Sequence, residues 1–165
     1  MSIAKLIRIL LVDDDALVRQ ALRSALQPYP NIEVVGEGAN GGEGVSKAAQ
    51  LQPTVVVMDI NMMSKMDGIM ATQVIKTQHP QIVVLGLSVD PKSYLVHAME
   101  IAGASEVLKK DNAGTDLYGA IQRAVAAVQP VLILEETPSS DGAQSEKPAE
   151  DLAPTEPLPM NEPKM

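Results

Sequence analysis

The sequence predicts a doubly wound α/β domain: a five-stranded parallel sheet with helices on both faces. Three observations carry this. Short aliphatic runs alternate five times with longer stretches of helical period. Runs such as Val55-Val56-Val57-Met58 are apolar at every position, as strands are when helices cover both faces of a parallel sheet. Hydrophobic residues make up 45% of the 165 residues but aromatics only 2%, with no Trp and no Phe, so the core must be built from closely packed aliphatic side chains.

The elements follow in order. Leu6 to Val12 is the first strand candidate, and it runs into Asp13-Asp14-Asp15. A helix follows from about Ala16 to Leu26, with Leu17, Ala21, Leu22 and Ala25 at helical spacing and Asp15 read as its N-cap. Ile32 to Gly36 is the second strand and Gly42 to Leu51 the second helix. Thr54 to Met58 is the third strand, ending at Asp59, and Gly68 to Thr77 the third helix. Ile82 to Leu87 is the fourth strand, followed by Ser88, and Lys92 to Ala102 the fourth helix. Glu106 to Leu108 is the fifth strand, followed by Lys110, and Thr115 to Val128 the fifth helix. Pro130 to Leu134 is a last apolar run, beyond which Pro, Glu, Asp, Ser and Ala dominate. The expectation is one folded domain over residues 1–129 and an acidic, Pro-rich, largely disordered tail over 130–165.

The overall charge narrows the function. A formal net charge of -8 argues against direct nucleic-acid binding, because phosphate backbones are met by clustered Lys and Arg. With no Cys, thiolate metal sites and disulfides are excluded. The apolar run at the start is too short to span a bilayer and ends in carboxylates rather than a cleavage site, so a cytoplasmic protein is expected.

In an open α/β sheet, ligands sit beyond the carboxyl ends of the strands near the switch in strand order. The residues at those ends are Asp13, Asp14, Asp59, Ser88 and Lys110. An acidic triplet alone can be a helix cap. Crowded carboxylates repel unless protonated, pulled apart or neutralised by a cation, and a further carboxylate at another strand end favours the cation because the two strand ends converge in this architecture. A hard divalent ion, Mg²⁺, suits one or two carboxylates, waters and a phosphate oxygen. A serine hydroxyl and a lysine at neighbouring strand ends each suit a phosphoryl oxygen. The chemistry these residues can support is attack of the Asp59 carboxylate on phosphorus to give an acyl phosphate, with Lys110 and the metal neutralising the equatorial oxygens. His79, before Pro80, and His97, on a helix, are read as structural or solvated.

From about Ile7 to Val128 the sequence resembles the receiver domains of response regulators, in the segments ILLVDDDALVRQAL, VVVMDINM, MDGIMAT, VVLGLSVD and GASEVLKKD. It is most similar to receivers of the helix-turn-helix output class, where Asp111 rather than Pro follows the lysine. The resemblance implies the flavodoxin-like (βα)5 receiver fold. It also implies a metal site of Asp13, Asp14 and Asp59 with the backbone carbonyl of Asn61, a phosphoacceptor at Asp59, a switch hydroxyl at Ser88 and the lysine of the pattern at Lys110. A sensor histidine kinase or histidine phosphotransfer protein is the implied donor, a downstream protein the implied target, and a homodimer through the fourth helix, fifth strand and fifth helix is allowed. No turnover of outside substrates is expected beyond self-catalysed phosphotransfer and dephosphorylation.

Three features depart from the family pattern. Met63 stands where Pro is usual four residues after the acceptor, in a loop, Met62 to Gly68, one residue longer than usual. Val107 replaces the aromatic switch residue often found on the fifth strand. An acidic tail stands where an output domain would follow. A docking adaptor that is not phosphorylated, and the receiver portion of a longer DNA-binding regulator or hybrid kinase, are the alternatives within the family. A haloacid-dehalogenase-type phosphatase is disfavoured because Asn61 stands where its second Asp would act as general acid. A flavodoxin-like cofactor carrier is disfavoured because Asp13 to Asp15 repel an anionic phosphate.

Overall fold

The computed structural model describes residues 5–90 and 92–136. Five parallel strands, β1 (Ile7–Val12), β2 (Ile32–Gly38), β3 (Val55–Asp59), β4 (Val83–Ser88) and β5 (Glu106–Lys109), form one sheet in the order β2-β1-β3-β4-β5. Between them lie α1 (Ala16–Leu26), α2 (Gly41–Leu51), α3 (Gly68–Gln78) and α4 (Ser93–Ala102); a short 3₁₀ turn (Lys110–Asn112) and α5 (Ala113–Glu136) follow β5. The doubly wound expectation holds, and the switch in strand order lies between β1 and β3.

Alternation along the strands divides the core in two. Ile9 and Leu11 of β1, Val55 and Val57 of β3, and Leu85 and Leu87 of β4 pack with Leu22 and Leu26 of α1 and Leu117 and Ile121 of α5. Leu10, Val12, Val56, Met58 and Val84 point the other way, onto Ala48 of α2, Ala71 and Ile75 of α3 and Met99 of α4. β3 and β4 are buried at every position, which is why their sequences show no polar alternation. Away from the site, at the amino end of the sheet, Tyr29 and Tyr118 stack with ring centroids 3.6 Å apart and tie α5 to the α1–β2 connection.

Strand bounds fall within two residues of those predicted, with one larger correction at the last helix. α5 begins at Ala113 and continues to Glu136, eight residues past the expected end at Val128, so the apolar run from Pro130 to Leu134 lies within it. A proline removes one backbone donor and crowds the preceding turn, but its fixed φ is that of a helix. Of the tail expected to be largely disordered over 130–165, residues 137–165 lie outside the described residues. Among the described residues no helix is long and apolar enough to cross a membrane.

Candidate functional site

The carboxyl ends of β1 and β3 open the crevice at the switch point, and each ends in a carboxylate. Asp13, immediately after β1, is fully buried and tied down from several directions. Its N–H donates to the Gly38 carbonyl, its Oδ1 accepts from the Asp15 N–H at 2.9 Å, and its carbonyl accepts from Arg19 Nη1 at 2.6 Å. Asp15 in turn caps α1 by accepting from the Leu17 N–H, as predicted. Asp59, the last residue of β3, is 1% exposed and accepts the Asn61 N–H on Oδ1 at 3.1 Å. Lys110 reaches in from the turn after β5, placing Nζ 2.7 Å from Asp13 Oδ2 and 3.1 Å from Asp59 Oδ2. These are ion-pair contacts made off hydrogen-bond alignment, so both buried oxygens keep unused accepting capacity.

Asp14 is the exposed member of the trio, and its Oδ2 accepts the Met63 N–H at 3.1 Å. One carboxylate oxygen from each of Asp13, Asp14 and Asp59 lies within 4.8 Å of the others. Three carboxylates against one ammonium leave the cluster short of positive charge. Burial first, and the neighbouring Asp13 charge second, push the Asp59 carboxyl above the ordinary carboxylate range, with Lys110 pulling against them. Burial works to lower the Lys110 pKa, but Asp13 and Asp59 outweigh it and the net shift is upward. An all-oxygen donor set with spare buried lone pairs and excess negative charge fits a hard divalent cation such as Mg²⁺.

Ser88, the last residue of β4, is buried, and its Oγ has no hydrogen-bond partner among the described residues. It directly follows Leu87, the register partner of Asp59. An unsatisfied buried hydroxyl at the end of the strand beside Asp59 is a donor in want of an oxygen. The Asn61 side chain is exposed, and among the described residues its carbonyl is paired with no donor. Val107 is half-buried against the core that contains Met99, so no ring stands ready to rotate at that place on β5. His79 ends α3 with Nδ1 3.3 Å from Gln52 Nε2, and His97 is exposed on α4; neither touches the site.

Two supports of the site went unremarked in the sequence. A Cβ on Gly68 would lie 1.9 Å from the Asp59 carbonyl oxygen, so only glycine lets α3 begin hard against the end of β3, where the Gly68 N–H donates to the Ile60 carbonyl. Arg19, besides holding Asp13, pairs with Glu37 at the end of β2 at 2.8 Å; Arg23 pairs with the same carboxylate at 2.6 Å. The Arg23 guanidinium, with Arg19 beside it, holds Glu37 below the usual carboxylate range against the opposing effect of burial.

The sequence profile described as "Response regulator receiver domain" matches residues 9–122, which contain every residue of this site. The chain belongs to the response regulator receiver family. Receivers are the phosphoacceptor modules of two-component signalling. This receiver is 40% identical over 121 residues to the transcriptional regulatory protein LiaR of Bacillus subtilis, and 38% identical over 117 residues to the response regulator protein VraR of Staphylococcus aureus. Those alignments cover 72% and 71% of this chain but 56% of each relative, so the chain spans just over half the length of the curated relatives it matches. Among solved structures it is similar to the response regulator domain of Thermotoga maritima CheB, with a TM-score of 0.69 at 28% identity over 74% of this chain and 98% of that one.

Proposed function

We propose that this receiver takes a phosphoryl group onto Asp59 in a Mg²⁺-dependent reaction, from a phosphohistidine of a sensor kinase or phosphotransfer protein. The observation that carries the reading is the convergence of Asp13, Asp14, Asp59 and Lys110 at three strand ends. A carboxylate oxygen of Asp59 attacks phosphorus, the P–N bond to the donor imidazole breaks, and the leaving nitrogen takes up a proton. Lys110 already spans Asp13 and Asp59 and meets the equatorial oxygens as charge spreads onto them. Asp13, Asp14, Asp59 and the Asn61 carbonyl would hold the cation, which supplies charge neutralisation on the transferring group. Ser88 turns its unpaired hydroxyl to the new phosphoryl oxygens, and that movement biases the surface of α4, β5 and α5 toward a protein partner.

The receiver occupies residues 1–129 in this reading, with 130–165 as its tail, in a cytoplasmic protein that acts by self-catalysed transfer rather than turnover of outside substrates. Intact mass after incubation with acetyl phosphate tests it. A gain of one phosphoryl group with Mg²⁺, absent in EDTA and absent in Asp59→Asn, is the expected result. No gain in any condition favours the unphosphorylated docking adaptor, and retained labelling of Asp59→Asn refutes the acceptor assignment.

A further inference from the structure

Asp14 is exposed, unlike its two partners, yet it is not left to rotate freely in water. The Met63 N–H donates to Asp14 Oδ2 at 3.1 Å, and among the described residues no other donor meets this carboxylate. Met63 stands where receivers usually carry Pro, which has no N–H to give. The surrounding loop holds that N–H in place. The Ser64 N–H donates to the Met62 carbonyl at 2.9 Å, closing a three-residue turn with Met63 at its apex. Ser64 Oγ donates to the Met66 carbonyl at 2.6 Å, and that carbonyl sits where a Cβ on Gly41 would lie only 2.4 Å away, so the far side of the loop rests directly on the start of α2. Met62 is buried beneath the turn, whereas the Met63 side chain is 96% exposed. It is therefore the backbone of Met63, and not its thioether, that engages the site.

We infer that Met63 is a positioning residue for the divalent cation: its N–H holds Asp14 in the ligand cluster, and the lengthened loop is the arm that presents it. The inference rests on reading Asp13, Asp14 and Asp59 as a cation site. A carboxylate has lone pairs enough to accept one N–H and still ligate, and hydrogen bonds to ligating carboxylates fix their orientation before the metal arrives. The coupling runs both ways. A cation that fixes Asp14 also firms the loop from Met62 to Met66, since linkage between two binding events is reciprocal.

The test is a Mg²⁺ titration of the full chain followed by amide NMR, without phosphodonor, on the wild type, Met63→Pro and Met63→Ala. Met63→Pro is expected to weaken Mg²⁺ binding about tenfold, while Met63→Ala, which keeps the N–H, stays within about twofold of the wild type. Unchanged binding in Met63→Pro, or equal weakening in Met63→Ala, overturns the inference. Should the proline disturb the fold, the wild type still decides: the Met63 amide resonance is expected to move along the same binding curve as those of Asp13 and Asp14, and a stationary resonance overturns the assignment. A wild type that takes up no Mg²⁺ overturns the cation reading itself, a different outcome from a wild type that binds and a proline variant that binds equally well.

Discussion

Replacing Lys110 with Met strips the ammonium from between two buried carboxylates while keeping much of the side-chain volume. At 2.7 and 3.1 Å the two attractions are about 6 and about 5 kcal/mol gross at an effective dielectric near 20. Most of that is offset by desolvation in the wild type, but removing one partner leaves the cost of the other charges exposed, and broken buried pairs cost roughly 3–5 kcal/mol. Lys110 keeps 15% of its side chain exposed, and Asp59 can shed its charge by protonation, so the lower end applies. We expect a loss of about 3 kcal/mol in EDTA at neutral pH, or roughly 10 °C in Tm. The pH dependence has a definite sign. Without Lys110 only the Asn61 N–H hydrogen bond is left to oppose burial and Asp13, so the folded-state pKa of Asp59 rises further above its unfolded value. The folded state then binds the extra proton, and stability falls as pH rises between the unfolded and folded pKa values. The deficit is therefore largest at neutral pH, shrinks on acidification, and shrinks again when Mg²⁺ is added. Calorimetry from pH 4.5 to 7.5, with EDTA and with Mg²⁺, measures all three. A neutral-pH deficit below about 1 kcal/mol, or one that grows on acidification, would refute the reasoning.

Two further outcomes are expected. Gly68→Ala forces the Asp59 carbonyl and the start of α3 apart, costing about 3 kcal/mol in urea unfolding and reducing phosphoryl uptake; a variant as stable as the wild type would contradict the close approach. Tyr118→Leu removes the stack on Tyr29 and the hydroxyl that accepts from Gln122, costing about 1–2 kcal/mol while leaving phosphoryl uptake unchanged, because the stack lies at the opposite end of the sheet from Asp59.

Much of this architecture was legible because the relevant signals are local. Five apolar runs separated by helical periods can be read a few residues at a time, and the rule that ligands gather at strand ends converts that list into a site. Asp13, Asp14, Asp59 and Lys110 do converge, and Ser88 stands buried at the end of its strand. What escaped depends on distance through space. Gly68 was visible as a helix start, but nothing in a string of letters says that its missing Cβ would fall on the Asp59 carbonyl. Arg19 follows the acidic triplet by one turn of helix, yet its tie to Glu37 depends on β2 lying beside β1. The lengthened loop was visible as an irregularity, and its hydrogen bond to Asp14 was not. Pro130 was read only as the start of a last apolar run beyond the fifth helix, and here α5 continues through it to Glu136.

The sheet order has a consequence for biosynthesis. Asp13 leaves the ribosome with β1, Asp59 with β3, and the ammonium of Lys110 only after β5 has followed. Until then the nascent chain carries two acidic strand ends without the lysine that pairs with both in the folded domain, and pairing β1 with β3 brings those charges together before Lys110 is made. Cations in the surrounding solution screen the emerging pair during synthesis, so the ionic conditions under which the chain is made bear on how readily β1 and β3 pair.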